Sequence, residues 1–364
     1  MPPYLIAKLA HKSQWLINLL PNKLYTQLYS SGRRYFMQQF YQQHLPAKFT
    51  PPPKWQRSLW GLTFQSPLMN SAGMFKNGEA YDLVMAQGAG GYVGGTSTYN
   101  QRPGNIKHGI KLPFITLPKS HISLNFLGLP NLGDQLLAKQ VFTHHKLANC
   151  PLGWSLMCSP DYSEAEGLEN LIRGLWLYHN NPQIDFLEIN ESCPNIRLGT
   201  GNISQRLKYI AENFLIKRER KLPVVVKLST DLTLELLPQV LATLVKYKFD
   251  GINLGNTSTN YQFIKEQVVP TEQSVFNYFI SQFGGGVGGR ALKNKSLALC
   301  EAAVNYKNQL NPDYEFHIIR SGGIDNLADL NESEQVGVSL NQWYTGYFIN
   351  YAQQGNNLYQ NIFS

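Results

Sequence analysis

Residues 224–256 read VVVKLSTDLTLELLPQVLATLVKYKFDGINLGN, and this stretch decides the fold. It opens on a short β-branched run, Val224–Lys227. Apolar residues at helical spacing follow over Leu234–Tyr247, and a second short run closes it at Gly251–Leu254. A strand, a helix and a strand in this order imply a parallel pair joined by a crossover. The alternation continues on both sides of this unit. Upstream runs are Leu68–Ser71, Gly91–Gly94, Gly153–Met157 and Phe186–Asn190, and downstream ones are Phe316–Ile319 and Ser339–Trp343. Leu168–Tyr178 and Leu297–Tyr306 are among the helical patterns between them. Eight such units predict an α/β fold, a closed (β/α)8 TIM barrel rather than an open sheet. A hairpin-like stretch, Leu59–Phe64, precedes the first unit and is expected to plug the barrel floor. Two connections, Asn100–Gly133 and Asn260–Gly289, are too long to be simple loops. Both are expected to rise from the C-terminal face, where barrels of this kind place their chemistry.

The composition supports one large core. Of 364 residues, 43% are hydrophobic and 15% charged, which excludes disorder as the main state. The four cysteines, Cys150, Cys158, Cys193 and Cys300, are too few and too irregularly spaced for a disulfide scaffold or a zinc site. Reduced thiols are the simplest reading.

The net charge of +8 is unevenly placed. Lys8, Lys12, Lys23, Arg33, Arg34, Lys48, Lys54 and Arg57 precede the first carboxylate, Glu79, and the rest of the chain carries 24 basic and 24 acidic residues. A basic chain can bind nucleic acid, but here the charge belongs to one short segment, and an anionic lipid surface suits it better. Leu5 with Leu9, Leu16 with Leu19 and Leu20, Leu24 with Leu28, and Phe36 with Phe40 recur at helical spacing. Pro21-Asn22 and Ser30-Ser31-Gly32 interrupt the pattern, which predicts two or three short helices with a small N-terminal helical extension as the result. The apolar stretch around Trp15–Leu20 is far shorter than the ~18 residues that cross a bilayer. No secretory cleavage pattern follows it. Interfacial helices describe a monotopic, peripheral membrane contact. An amphipathic cap on the main domain and a mitochondrial transit peptide are the competing readings. The chain is therefore divided into residues 1–53, the membrane-contact segment with its linker His44–Pro53, and residues 54–364, the barrel.

Polar and glycine motifs follow the strand-like runs. Ser71–Lys76 follows the first, Thr96-Ser97-Thr98 the second and Asn190–Asn195 the fourth, while Lys227 closes the fifth. Asn256-Thr257, Ser321-Gly322-Gly323 and Tyr344-Thr345-Gly346 follow the sixth, seventh and eighth. Any one is an ordinary loop, but seven in register make a site. Loops after strands seven and eight often hold phosphate on backbone N–H groups. Gly284–Gly289 satisfies a G-x-G-x-x-G string, but it follows the helical Phe276–Phe283 run and so is not expected to be a dinucleotide fingerprint.

These motifs, with the strings SAGMFKNGE (71–79), SLNFLGLPNLG (123–133) and INESCPN (189–195), resemble the dihydroorotate dehydrogenase family. The resemblance runs in order over roughly residues 55–350. It implies a barrel that binds FMN and oxidises dihydroorotate to orotate in pyrimidine biosynthesis. Lys76 and the basic helical N-terminus are similar to the membrane-associated class, which reduces quinone. Cys193 and Leu129-Pro130-Asn131 are similar to the soluble class, and Gly94-Gly95 stands where that class has its flavin-site lysine. Tyr25 and Thr116 lie near the places where the membrane class offers His and Arg to the quinone. A quinone is the expected acceptor, at the cytoplasmic face of a bacterial cell membrane rather than the mitochondrial inner membrane.

The resemblance assigns roles to individual residues. Cys193 is the expected base that takes the C5 proton of dihydroorotate while hydride leaves C6; a modest depression of a thiol pKa makes thiolate available at neutral pH. Buried cysteines are more often inert, which is the reading kept for Cys150, Cys158 and Cys300. Asn125, Asn190, Asn195 and Asn256, with Thr257, Gly128 and Leu129, are expected to bind the substrate, because an amide side chain matches alternating N–H and C=O groups. Asparagine is also a common turn residue. Lys76 is expected near the substrate carboxylate and the flavin, against the ordinary reading of a solvated lysine. Lys227 ends an apolar run, is expected to be buried and in need of a partner, and would face the reduced flavin. Ala72, Gly73, Thr96, Ser155, Asn190, Gly255, Gly288, Gly289, Gly322, Gly323, Tyr344 and Thr345 complete the implied FMN site. No metal site is implied. The alternatives are a soluble-class enzyme using fumarate or another soluble acceptor, a flavin barrel acting on another planar ring, and a non-catalytic membrane-bound barrel.

Overall fold

A computed structural model describes residues 1–141, 147, 149–191 and 203–364. Eight parallel strands form the barrel: β1 (Leu68–Asn70), β2 (Tyr92–Ser97), β3 (Leu152–Leu156), β4 (Phe186–Asn190), β5 (Val224–Leu228), β6 (Gly251–Leu254), β7 (His317–Ser321) and β8 (Leu340–Trp343). All eight sequence runs are strands. Their ladder runs β1-β8-β7-β6-β5-β4-β3-β2, each strand beside its neighbour in sequence. The β1–β2 seam is closed partly by a side chain. Asn70 Nδ2 donates to Val93 O (2.8 Å), and Val93 N donates back to Asn70 Oδ1 (3.1 Å). Gly73 N and Gly95 O then continue the seam at 2.7 Å.

Side chains alternate across each strand, so every second residue enters the barrel. The lower layer is apolar: Met69, Val93, Phe186, Val225, Ile319 and Leu340 meet Leu59, Trp60 and Phe64. The last three come from an antiparallel hairpin, Arg57–Leu59 with Leu62–Phe64, which plugs the floor. The upper layer is polar and carries Glu188, Asn190, Lys227, Asn253, Ser321 and Gln342, all buried. This split puts the chemistry at the C-terminal end of the strands.

The two long excursions meet each other above that end. Strand Ile122–Asn125 of the first pairs antiparallel with Phe114–Leu117 on one side and with Gly286–Gly289 of the second on the other. The glycine string is thus partly a strand of this small sheet, preceded by the helix Gln273–Gln282.

Three helices precede the barrel: α1 (Pro3–Lys12), α2 (Gln14–Ile17) and α3 (Asn22–Tyr41). Pro21 caps α3 and marks a break, as expected. Ser30-Ser31-Gly32 does not interrupt the helix. Ser30 is buried, and its Oγ bonds Thr26 O (2.7 Å) while accepting from Phe114 N (3.0 Å), so the serine has partners without leaving the helix. Packing of Met37 and Phe40 into the main core outweighs the ~1 kcal/mol helix cost of Gly32. Phe40 stacks on Phe75 at 6.0 Å, which fixes α3 to the loop after β1. Leu5, Leu9, Trp15, Leu16, Leu24 and Leu28 remain exposed on these helices, and Leu19 in the turn between α2 and α3. No helix among the described residues is long and apolar enough to cross a membrane.

Candidate active site

A cleft of about 1000 Å³, its open mouth included, lies at the C-terminal ends of the strands. Seven of the eight strand ends line it. Ser71, Ala72, Gly73 and Lys76 follow β1, Thr96 lies near the end of β2, Asn190 ends β4 and Lys227 lies on β5. Gly255, Asn256 and Thr257 follow β6; Ser321, Gly322 and Gly323 come from β7; Gln342, Tyr344 and Thr345 come from β8 and its turn. The excursions supply Ser123, Asn125, Leu127, Leu129, Gly288 and Gly289. A residue that ends a parallel strand has its ladder partners on both sides and cannot shift far. That is why short motifs separated by tens of residues converge here.

One wall is a chain of hydrogen bonds between neutral side chains. Asn256 Nδ2 donates to Asn190 Oδ1 (3.2 Å), Asn190 Nδ2 donates to Thr96 Oγ1 (3.3 Å), and Thr96 Oγ1 lies 3.0 Å from Ser155 Oγ. Ser155 therefore stands behind Thr96, outside the lining, and reaches the cleft through it. Gly128 is also outside the lining. Its positive φ of +70° turns the chain, so that Leu127 and Leu129 point inward while its carbonyl accepts from Arg102 Nε at 3.2 Å. Cys193 and Asn195 lie outside the described residues.

The floor is charged. Lys227 is 2% exposed, with Nζ 3.2 Å from Ser71 Oγ, 3.1 Å from Gln342 Oε1 and 3.7 Å from Glu188 Oε1. Burial pushes its ammonium pKa below the usual value, and the Glu188 carboxylate acts against that shift. Glu188, Gln342 and Ser123 were not singled out from the sequence. Glu188 was legible: on a strand whose Asn190 faces inward, the residue two before it must do the same.

At the other end the backbone comes close. A Cβ on Gly255 would lie 1.6 Å from Ser321 O, and one on Gly323 would lie 2.4 Å from the Lys293 Cα, so both positions need glycine. The helix Thr345–Gln354 starts at this end, and a helix N-terminus beside glycine turns suits a phosphate. Asp325, which also lines the cleft, is held by Arg290 Nε (3.0 Å) and lies 2.9 Å from His121 Nδ1. A buried cation on the floor, amide side chains on one wall and small residues at one end fit a flat cofactor that carries a phosphate.

The remaining described cysteines carry no such chemistry. Cys150, Cys158 and Cys300 are buried, and burial raises their thiols to about 11, 12 and 12. Among the described residues no group of His, Cys, Asp and Glu could hold a metal ion.

A family profile described as Dihydroorotate dehydrogenase matches residues 55–362. Two curated relatives are named Dihydroorotate dehydrogenase (quinone). That of Psychromonas ingrahamii is 29% identical over 313 residues, covering 83% of this chain and 85% of the relative. That of a Cyanothece strain is 28% identical over 301 residues, covering 82% and 76%. Two crystal structures of DHODH from Eimeria tenella share the fold. The complex with ferulenol has a TM-score of 0.72 at 20% identity, covering 91% of this chain and 89% of that one. The ligand-free form has a TM-score of 0.73 at 22% identity, covering 90% of each.

Proposed function

Because the chain belongs to the dihydroorotate dehydrogenase family, we propose that it oxidises dihydroorotate to orotate on a bound FMN and passes the electrons to a membrane quinone. The observation that carries the reading is the single cleft in which Asn125, Asn190 and Asn256 meet Lys227 and the glycine turns after β7 and β8. FMN in this cleft supplies a hydride acceptor. The protein has to orient the substrate ring, take one proton and stabilise the charge that develops.

Asn190 and Asn256 share one hydrogen bond, which sets two amide side chains side by side on one wall, and an amide's paired N–H and C=O match those of a planar ureide ring. Asn125, Thr257 and Leu129 bound the same space from the upper sheet and the β6 turn. Lys76 gives a positive charge for the substrate carboxylate. Cys193 takes the proton from C5 as hydride leaves C6, and Asn195 belongs to the same motif; both assignments rest on the family resemblance of INESCPN. Lys227 places a positive charge beside the flavin edge that becomes electron-rich. Ala72, Gly73, Thr96, Gly255, Gly288, Gly289, Gly322, Gly323, Tyr344 and Thr345 hold the cofactor.

The quinone assignment draws on the names of the relatives and on the N-terminal helices. Their exposed leucines and Trp15 lie beside Lys8, Lys12 and Lys23, the pattern of a segment resting on anionic lipid. A peripheral position on the membrane lets a lipid-dissolved acceptor reach the protein. The test is spectroscopic. Purified protein should show flavin absorbance that dihydroorotate bleaches and a quinone in liposomes restores. Bleaching by another ring compound but not by dihydroorotate overturns the substrate, and restoration by fumarate but not by quinone overturns the acceptor.

A further inference from the structure

Glu188 has no part in the reading above, yet it is the acidic side chain that meets Lys227 inside the barrel. It is 1% exposed and stands on β4, two residues before Asn190. Oε2 accepts from Asn253 Nδ2 on β6 (2.7 Å) and from Gln342 Nε2 on β8 (2.8 Å). Oε1 has no hydrogen-bond partner among the described residues and lies 3.7 Å from Lys227 Nζ. A buried carboxylate with one bare oxygen is costly unless a cation faces it. Lys227 is that cation. The other side chains around the pair, Ser71, Asn253, Ser321 and Gln342, are neutral.

The two charges differ in one respect. Lys227 lines the cleft and Glu188 does not. Any group bound in the cleft therefore meets the lysine first, with the carboxylate directly behind it. In a medium of low dielectric constant the field of a cation is cut sharply by an anion a few ångströms further away. We propose that Glu188 is a positioning residue that holds Lys227 toward the cofactor and offsets its charge, keeping the flavin at a lower potential than Lys227 alone would set. This rests on the flavin reading above. A lower potential makes the reduced cofactor a better donor to the acceptor, at some loss of drive from the substrate.

The test uses the holoenzyme and reads the midpoint potential of its bound flavin against reference dyes. Glu188→Gln keeps an oxygen for Asn253 and Gln342 and removes the charge. Its flavin should be reduced more readily, by tenfold or more in the two-electron equilibrium, about 30 mV. A double variant, Glu188→Gln with Lys227→Gln, removes both charges and should return to within about threefold of the wild-type equilibrium, since the pair it removes is neutral. An unchanged or lower potential in Glu188→Gln overturns the inference. So does a double variant that falls far below wild type, because Glu188 would then be offsetting nothing. Loss of flavin from both variants also overturns it, since the pair would be holding the cofactor rather than setting its potential. A wild-type chain that binds no flavin fails the functional reading itself, and this inference with it.

Discussion

Asn256, in the turn after β6, donates from Nδ2 to Oδ1 of Asn190 at the end of β4, across 3.2 Å. The bond passes over β5, which lies between those strands, and ties two loops that are 66 residues apart in sequence. Each amide thus helps to fix the orientation that the other presents to the cleft.

Asn256→Ala removes one amide and leaves the other held by its bond to Thr96 alone among the bonds described above. The expected result is a loss of about 10- to 100-fold in kcat/KM for dihydroorotate, the scale of one or two substrate hydrogen bonds. Flavin content should stay normal, because Asn256 serves the substrate side. Steady-state kinetics beside flavin absorbance check this, and wild-type kcat/KM would remove Asn256 from the substrate site.

Cys193→Ser should keep its flavin and lose roughly 10²- to 10⁴-fold in the rate of flavin reduction near pH 7, because a hydroxyl is much harder to deprotonate than a thiol. The deficit should shrink as pH rises. Stopped-flow bleaching of the flavin between pH 6 and 10 measures it, and a rate equal to wild type assigns the base elsewhere.

Asp134 is a buried carboxyl behind β2, hydrogen-bonded by Ser97 Oγ and by Tyr178 OH. Burial raises its pKa to about 6, against those two bonds, which lower it. A folded-state pKa above the unfolded value means the folded state binds the extra proton. Its contribution is therefore intact below pH ~4 and lost as pH rises through about 6. The loss is about 3 kcal/mol at most, from roughly two pKa units. Asp134→Asn should accordingly flatten the fall in stability between pH 4 and 7, and gain on wild type at pH 8. Urea midpoints across that range decide it, and parallel curves for the two proteins would show that Asp134 does not titrate there.

Trp15 and Leu19 are 63% and 75% exposed. Trp15→Glu with Leu19→Glu should leave the thermal midpoint and dye-linked turnover unchanged while abolishing attachment to anionic liposomes and slowing quinone reduction. Attachment of the wild type should weaken with added salt. Equal liposome binding by the variant would leave the segment as a cap. Deleting residues 1–44 is a poorer experiment, because it also removes Tyr25, Met37 and Phe40, which are buried against the rest of the molecule.

The barrel was determined by the sequence alone, because strand and helix periods are local properties. Eight apolar runs such as Val224–Lys227, spaced by helical patterns, leave few ways to bury both faces of a parallel sheet. Most of the site was legible for the same reason: Asn190 ends a strand, Lys76, Asn256 and Gly322 follow one, and strand ends converge at one mouth. No break occurs at Ser30-Ser31-Gly32 because local propensity is weak beside tertiary packing, and Phe114 and the core around Phe40 decide that the helix continues. The joining of the two excursions into one sheet, the exclusion of Gly128 from the cleft, and the pairing of Glu188 with Lys227 belong to the tertiary structure alone. Each depends on contacts between residues distant in the chain, and no local pattern encodes which distant partner a buried charge will meet.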